Sequence, residues 1–443
     1  MRNPTIEQNL LIMKNYTLLL CLFVLTCNTV FGQQEKGIIG YNNWLNSWTE
    51  FQPNKVDYGE PTQILSGNIS EDTKLLKKNT YLLLGNVFVT DSTTLTIEPG
   101  TVIIGDFKTN GTLTISNGSK IIAEGLETDP IIFTSNRGVK KQGDWGGIFI
   151  LGDAPTNKFG NEAALDYGLR PSSYQNISYG GDCPESNSGI LKYVRIEYAG
   201  KRTKEYGYFN GLTLAGVGHK TTIENVMVSY CQGNSFNVIG GDVKMDKMVS
   251  YRSNKNDYEF NHGAQCKITN SLAIRSPYIS SSNGSKCMYI PSYENKDETD
   301  LTQKGTFVDA ENMTLVNVTE DLKHDMSIGL VKEAIYIAPE TSVTLNKTVI
   351  SGFNPAVILD DKIHINSKNL ERLNFREMYF NNCNGNIFTK GQSNNDDLEN
   401  WYGNSIFRNV YSKGDDKETF IDLQNSKRPD FRLRINKIIA SND

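Results

Sequence analysis

Five stretches of similar sequence decide the fold: Asn225-Val-Met-Val-Ser-Tyr, Asp246-Lys-Met-Val-Ser-Tyr, Asn270-Ser-Leu-Ala-Ile-Arg, Asn312-Met-Thr-Leu-Val-Asn and Asn346-Lys-Thr-Val-Ile-Ser. Each begins with an Asn or Asp, here called the anchor, and continues into a short, mostly apolar strand. Successive anchors are 21, 24, 42 and 34 residues apart, and a second short strand follows most of them. A step of about 20 to 30 residues, with strands rather than helices in each unit, is typical of a parallel β-solenoid.

The rest of the chain has the same β character. Short apolar or alternating runs bounded by Gly, Asn, Asp and Pro recur along it, and no run keeps apolar residues at helical spacing over three turns. One rung cannot bury its apolar side alone, but stacked rungs share a core and pair their strand edges. We therefore predict an all-β, right-handed parallel β-helix over residues 61–425, with Ile196, Ile223, Val228 and Val249 pointing into one core. A β-sandwich is the alternative, although few Asn-Gly or Asp-Gly links join matched strands as antiparallel sheets require.

Composition excludes several classes of protein. The 443 residues include 21 Tyr, 19 Phe and 4 Trp, which are too many aromatic residues for a disordered chain. The 45 basic and 50 acidic residues give a net charge of −5, which argues against nucleic acid as a partner. The seven cysteines form no Cys-x-x-Cys pair, so neither a zinc site nor a disulfide framework is expected.

The N-terminal sequence indicates export. Residues 13–32, MKNYTLLLCLFVLTCNTVFG, place a lysine, a short apolar run and a small-residue exit in the order of a secretory signal peptide. The apolar run is shorter than the roughly 20 residues that cross a bilayer. We predict a signal peptide over residues 1–32, with lipidation at Cys27 as the less favoured alternative, and no transmembrane span in the mature chain.

The segments on either side of the predicted solenoid have their own expected roles. The aromatic residues ahead of the first rung are Tyr41, Trp44, Trp48, Phe51 and Tyr58. An uncapped solenoid end would expose core and strand edges, so we predict that residues 33–60 cap the open N-terminal end. Residues 426–443 are predicted to form a short C-terminal tail.

A column of outward side chains on successive rungs would form an elongated binding face. Five residues past the anchors stand Tyr230, Tyr251, Arg275, Asn317 and Ser351. Aromatic rings offer stacking area to sugars, and a guanidinium offers a fork of donors to hydroxyls or a uronate. Arg275 with Asp257, Glu259 and His262 is also the local group best suited to a lyase, which needs cations and a base, or to a hydrolase, which needs two carboxylates. The sequence thus predicts one binding face made of Tyr230, Tyr251, Arg275, Asp257 and Glu259, which a shift of one residue would destroy.

Further stretches, spread over residues 42–276, together resemble a known family. They include Asn43-Trp-Leu-Asn-Ser-Trp, Leu95-Thr-Ile-Glu-Pro-Gly-Thr-Val-Ile, Pro130-Ile-Ile-Phe-Thr-Ser, Gly143-Asp-Trp-Gly-Gly-Ile, Leu151-Gly-Asp-Ala-Pro-Thr-Asn, Tyr179-Gly-Gly-Asp and Asn187-Ser-Gly-Ile-Leu-Lys-Tyr-Val. On these stretches the chain resembles the secreted parallel β-helix proteins of Bacteroidota, often described as cargo of the gliding-associated secretion route. The resemblance implies the fold and an extracellular, outer-membrane surface or periplasmic location, but no reaction.

Three aspartates of those stretches, Asp144, Asp153 and Asp182, are candidate metal ligands. The sequence indicates no cofactor, and the alternative is calcium, which these carboxylate oxygens could coordinate at a solenoid corner. The predicted function is a secreted or cell-surface, non-enzymatic module that binds polysaccharide or a cell-surface glycan. The alternative is a polysaccharide lyase or glycoside hydrolase acting on an extended glycan, because the fold alone does not decide between binding and catalysis.

Overall fold

The computed structural model describes residues 36–165, 167–204, 206–281, 284–293, 295–392 and 395–434. The predicted signal peptide, with Cys27, lies outside these residues, and so does the end of the predicted tail. Within the described ranges, no helix has both the length and the apolar character needed to span a membrane.

The chain winds as a parallel β-helix with three faces, as the sequence predicted. It visits face 1, face 2 and face 3 in that order, and each strand pairs in parallel with the equivalent strand of the next rung. The parallel strands begin at Gln63 and end at Ser412, so the solenoid stops before the predicted boundary at residue 425.

The strands are grouped by face. Face 1 consists of Thr73–Leu75, Thr94–Ile97, Lys120–Glu124, Asp242–Asp246, Gln265–Thr269, Phe307–Glu311, Ser342–Asn346 and Leu373–Arg376. Face 2 consists of Val102–Gly105, Ile131–Ser135, Val249–Tyr251, Leu272–Arg275, Thr314–Asn317, Val349–Ser351, Tyr379–Asn381 and Val410–Ser412. Face 3 consists of Thr112–Ile115, Gly147–Leu151, Leu212–Ala215, Phe236–Ile239, Tyr258–Asn261, Met288–Ile290, Ile335–Ile337, Val357–Leu359 and Ile387–Thr389. Four longer strands bend across two faces: Gln63–Ile69 and Thr80–Val89 join faces 2 and 3, and Gly189–Glu197 and Thr222–Ser229 join faces 1 and 2.

The remaining elements lie in loops and at the C-terminal end. Three antiparallel pairs are Glu162–Ala164 with Ser178–Gly180, Arg202–Thr203 with Gly207–Tyr208, and Phe420–Asp422 with Asp430–Leu433. The α-helices are Leu322–Ser327, Ser367–Glu371, Asp396–Tyr402 and Asp416–Thr419. The 3₁₀-helices are Pro53–Lys55, Tyr174–Ile177, Lys296–Glu298 and Ser405–Phe407.

The core fills the inside of the solenoid with side chains that alternate along each strand. In Asp242–Asp246 the side chains of Val243 and Met245 are buried, while Lys244 between them is exposed. The equivalent positions of neighbouring rungs repeat this alternation, so like side chains stack along the axis. Phe236 and Tyr258 stack in this way, with ring centroids 5.1 Å apart. Each rung therefore buries its apolar side only because the next rung covers it.

From Gly189 onward, the turn between faces 1 and 2 contains one residue per rung in the left-handed conformation. These residues are Tyr193, Asn225, Lys247, Asn270, Asn312, Lys347 and Glu377, with φ between 45° and 56°. Asn adopts this conformation more readily than most residues, which explains three of the five anchors found in the sequence. The other two anchors, Asp246 and Asn346, were assigned one residue too early, because lysine occupies the left-handed position in those rungs.

The N-terminal strap, residues 36–58, lies along the outer side of face 2. Its buried apolar side chains pack on outward residues of face 2 in a second hydrophobic cluster. At one end the Gly37 amide donates to the Lys347 carbonyl at 2.7 Å, and at the other the Tyr58 hydroxyl donates to Glu197 at 2.9 Å. The strap thus covers the side of the solenoid, whereas the sequence analysis placed it over the open end.

Val249 shows how the strap changes the burial of face 2. Ile196, Ile223 and Val228 point into the main core as predicted, but Val249 lies on the outer side of its strand, in the cluster beneath the strap. Its neighbour Ser250 is the residue of that strand that faces inward. The prediction of an inward Val249 is wrong by one residue, although its side chain is fully buried.

The first and the last described segments of the chain meet on face 2. The strand Asp430–Leu433, inside the predicted tail, packs beside the strap, and the rings of Phe51 and Phe431 lie 6.4 Å apart. The Arg432 guanidinium donates to the Gly40 carbonyl at 2.8 Å. The helix Asp396–Tyr402, rather than the strap or the strand Asp430–Leu433, covers the last rungs, and its Tyr402 ring stacks on Phe375.

Candidate functional site

Long loops border face 3 on both sides. Loops 276–287 and 318–334 lead from face 2 into face 3, and loops 152–188 and 291–306 lead from face 3 to face 1. The described turns between faces 1 and 2 have six residues or fewer. Loops 276–287 and 318–334 contact each other through a hydrogen bond of 3.0 Å, which the Tyr278 hydroxyl donates to the Asp325 carboxylate. Face 3 is therefore the side of the solenoid on which bordering loops can shape a ligand site.

The outer side of face 3 carries one column of side chains in strict register. From rung to rung this column consists of Phe149, Thr213, Asn237, Glu259, Tyr289, Tyr336, Ile358 and Phe388. Loop 152–188 folds over its first part, where Phe149 is buried beside Leu165 and Leu169. The side chains from Glu259 to Phe388 are only partly buried, and they span about 19 Å at 4.8 Å per rung. We call this stretch, with its bordering loops, the groove.

Three asparagines form a hydrogen-bonded ladder along the edge of the groove. The Oδ1 atoms of Asn210, Asn234 and Asn256 accept from the backbone amides of Asn234, Asn256 and Lys286 in turn, each at 3.1 Å. The Nδ2 atoms of Asn234 and Asn256 donate to Oε2 of Glu259 at 2.9 and 3.1 Å. The ladder thus joins successive rungs and fixes the Glu259 carboxylate at the start of the groove.

Tyr289 and Tyr336 occupy the middle of the groove. Their ring centroids lie 5.5 Å apart with an interplanar angle of 33°. The Lys286 ammonium lies 6.0 Å from the centroid of Tyr289 and forms an ion pair with Glu333 at 3.2 Å. The two rings therefore lie among charged and hydrogen-bonding groups, an arrangement suited to a ligand that is both apolar and hydroxylated.

The Tyr336 hydroxyl is held by a carboxylate on the neighbouring edge of the groove. It donates a hydrogen bond to Asp360. Partial burial and this hydrogen bond raise the pKa of Tyr336 above its ordinary value. Burial opposes ionisation of Asp360, but hydrogen bonds from Tyr336 and the Lys362 amide hold the pKa of that carboxyl below its ordinary value. The pair fixes the position of the Tyr336 ring in the groove.

The described residues also match a known domain. A family model described as a pectate-lyase like beta helix domain matches residues 67–420, which include the whole groove. The chain belongs to the pectate-lyase-like β-helix family. No curated protein and no solved structure matches the chain significantly. Membership of this family supports a carbohydrate-related role in broad terms and does not separate binding from catalysis.

Arg275 and Asp257, two residues of the predicted binding face, lie inside this β-helix. Their side chains are 4% and 0% exposed, and Nη1 of Arg275 lies 2.9 Å from Oδ2 of Asp257. The guanidinium also donates to the carbonyls of Lys255 and Ser253 at 2.9 and 3.1 Å. These contacts hold the corner between faces 2 and 3 together. The prediction that Arg275 and Asp257 face a ligand is therefore wrong.

Tyr230 and Tyr251 are neighbours, as predicted, but they lie apart from the groove. Their ring centroids are 5.5 Å apart, and Tyr251 also packs edge-on against Phe51 of the strap at 5.0 Å. Both side chains are half-buried. Asn317 and Ser351, the last two members of the predicted column, are buried. Of the predicted binding residues, only Glu259 lies in the groove.

The three candidate calcium ligands are not brought together as one cluster. Asp144 is buried and engaged by Ser135 and by Arg137, whose Nη1 lies 3.1 Å from its carboxylate. Asp153 and Asp182 lie at the base of loop 152–188, where Asp182 accepts from Asn161 at 2.8 Å. Among the described residues, no three His, Cys, Asp or Glu side chains are placed to share a metal ion.

The sequence analysis did not identify Tyr289 and Tyr336 as site residues. Each is the central residue of a short strand, Met288-Tyr-Ile and Ile335-Tyr-Ile, in which two buried apolar residues flank an outward tyrosine. This repeated alternation was the available signal. The tyrosines are 47 residues apart, because loops 291–306 and 318–334 lie between them, so they do not follow the step of the anchors.

Proposed function

We propose that this protein is an exported, non-enzymatic module that binds an extended polysaccharide along the groove. The observation that carries the proposal is the register of Glu259, Tyr289 and Tyr336 on successive rungs of the face bordered by long loops. Equivalent side chains repeat about every 4.8 Å along the axis, which suits a ligand that is itself a linear repeat. Tyrosine rings and hydroxyls, carboxylates and amides are groups that contact sugar rings and their hydroxyls.

The proposed location rests on the sequence. A secretory signal at residues 1–32 would release the mature β-helix outside the inner membrane, at the cell surface or beyond, where polysaccharides are accessible. Intact-mass analysis of the protein from its native host tests this part separately. We expect Gln33 as the first residue, and an uncleaved or lipidated N-terminus would contradict it.

Affinity electrophoresis in gels that contain soluble polysaccharides tests the binding proposal. The variant with both Tyr289→Ala and Tyr336→Ala should be retained less, because two ring contacts of about 0.5–1.5 kcal/mol each correspond to a loss of affinity of about fivefold to 150-fold. Tyr41→Ala is the matched control, since Tyr41 is 92% exposed on the strap and lies away from the groove. Circular dichroism melting of each variant separates lost binding from lost folding.

A product assay on the same polysaccharides distinguishes binding from catalysis. We expect neither new reducing ends nor unsaturated sugar products after long incubation. Products that disappear in the Glu259→Gln variant would instead assign a polysaccharide lyase or hydrolase to the groove. Retention that is unchanged in the double tyrosine variant would exclude the groove as the binding site.

A further inference from the structure

We infer that the glycan bound in the groove is a neutral polysaccharide rather than a polyuronate. This inference rests on the proposed function and specifies its ligand class. It follows from the charges that border the groove and from the buried position of Arg275, the guanidinium that the sequence analysis assigned to uronate binding.

Two lysines along the groove lie close to anions. Lys286 is paired with Glu333 at 3.2 Å, and their side chains are 13% and 20% exposed. Lys390 lies on the rung next to Asp360, with its ammonium 5.8 Å from the Tyr336 ring centroid. A polyuronate carries one carboxylate per sugar and would need unmatched cations at regular spacing. These lysines do not provide such a series.

The bordering loops add negative charge. Loop 291–306 contains four acidic and two basic residues, and loop 318–334 has the same numbers. The whole chain has a net charge of −5. A polyanion approaching the groove would therefore meet repulsion from the loops and from the protein as a whole. A neutral polymer would not.

The strongest uronate-binding group of this region is not accessible. Arg275 is buried, and its guanidinium is committed to Asp257 and to backbone carbonyls. The groove instead begins with the Glu259 carboxylate, whose position two asparagine amides fix. A carboxylate accepts hydrogen bonds from sugar hydroxyls but repels another carboxylate.

Affinity electrophoresis with a panel of purified polymers tests the inference. The panel contains neutral glucan, mannan and xylan together with polygalacturonate and alginate, in gels of low and high salt with a chelator. We expect retention by at least one neutral polymer that salt barely changes, and affinity for the polyuronates weaker by about tenfold or more.

A charge variant provides the matched test. Glu333→Gln frees the Lys286 ammonium and should increase retention by polygalacturonate at low salt. Asp309→Asn removes the same charge on face 1, where Asp309 lies 4.0 Å from Lys267, and should produce no such increase. Equal effects of the two variants would show that only the net charge matters, which would overturn the assignment of selectivity to the groove.

The outcomes also separate this inference from the proposed function. Polyuronate retention that depends on Tyr289 and Tyr336 would overturn the neutral ligand and leave the groove as the binding site. Failure of every polymer to retain the protein would overturn both. Retention by neutral polymers that the double tyrosine variant abolishes would support both.

Discussion

Replacement of Arg275 by methionine separates a structural role from a ligand-binding role for this residue. In the corner between faces 2 and 3, its guanidinium contacts the buried Asp257 carboxylate at 2.9 Å and two backbone carbonyls at 2.9 and 3.1 Å. Methionine keeps much of the side-chain volume but none of the donors. Asp257 would keep its hydrogen bond from Ser250 and lose its charged partner.

The expected cost is large. Breaking a buried ion pair by removing one partner typically destabilises a protein by about 3–5 kcal/mol. Burial already raises the pKa of Asp257 in spite of the opposing effect of Arg275, and removal of Arg275 raises it further. Because an acid with a raised folded-state pKa is stabilised below that pKa and loses stability as the pH rises through it, the cost should shrink toward acidic pH. The Asp257→Asn change added to Arg275→Met should recover part of the loss.

Urea denaturation followed by tryptophan fluorescence measures the effect. The matched control is Arg252→Met, since Arg252 is the equivalent residue of the preceding rung, half-buried over the Tyr251 ring at 5.2 Å. We expect the Arg252→Met variant to have a urea midpoint close to that of the unchanged protein. If Arg275→Met unfolds at the unchanged midpoint while polysaccharide retention disappears, the structural assignment of Arg275 is refuted.

Two further predictions concern the strap and the Asp360 pair. Trp48→Ala should lower the free energy of unfolding by about 3–5 kcal/mol in the same urea assay, because this side chain of the strap is fully buried against face 2, whereas Tyr41→Ala should change it by less than about 0.5 kcal/mol. Equal effects would mean that the strap adds no stability. The lowered pKa of Asp360 predicts stabilisation that is complete above the ordinary carboxyl pKa and lost as the pH falls through the lowered value. The midpoint difference between Tyr336→Phe and the unchanged protein should therefore narrow only in strong acid, and a difference that already disappears near neutral pH would contradict the assignment.

The architecture could be predicted from sequence because every rung obeys the same physical constraint. A strand with alternating burial must stack on its equivalent, and Asn225, Asn270 and Asn312 mark the left-handed turn in three of the rungs. Their type is visible in the sequence because asparagine tolerates this conformation. Lys247 and Lys347 adopt the same left-handed conformation in other rungs, but a lysine in the sequence does not indicate a left-handed turn.

That missing signal explains one of the errors in the predicted binding face, the alignment of Tyr251. With the anchor at Asp246 rather than Lys247, Tyr251 was aligned with Arg275, whereas the structure pairs Tyr251 with Ile274. Side chains of a strand alternate between its two sides, so a slip of one residue exchanges inside and outside. Arg275 was counted correctly from Asn270, but no feature of the sequence pattern shows that its side chain turns inward to the buried Asp257.

The strap was unpredictable for a different reason. Its partners on face 2 are separated from it by about 140 to 370 residues, as the contacts of Tyr58 with Glu197 and of Lys36 with Arg408 illustrate. The repeat pattern of the sequence predicts how a rung packs on the next rung. It does not predict where a segment outside the repeat, such as the strap, packs across many rungs. The strap forms a second hydrophobic core on the outer side of face 2, and Val249 is buried there. From the sequence, such an outward apolar residue cannot be distinguished from a residue of the inner core.

The three outer sides differ in what remains open to a ligand. The strap and the C-terminal hairpin occupy much of face 2. Face 1 carries charged side chains that pair with one another across rungs, as Lys192 does with Glu224 at 3.4 Å, and short turns border it toward face 2. In the part of the chain that the structure describes, only face 3 combines long bordering loops with partly exposed aromatic rings in register. Long loops cost a solenoid conformational entropy and give its core little in return, so their concentration along one face points to a function exerted there.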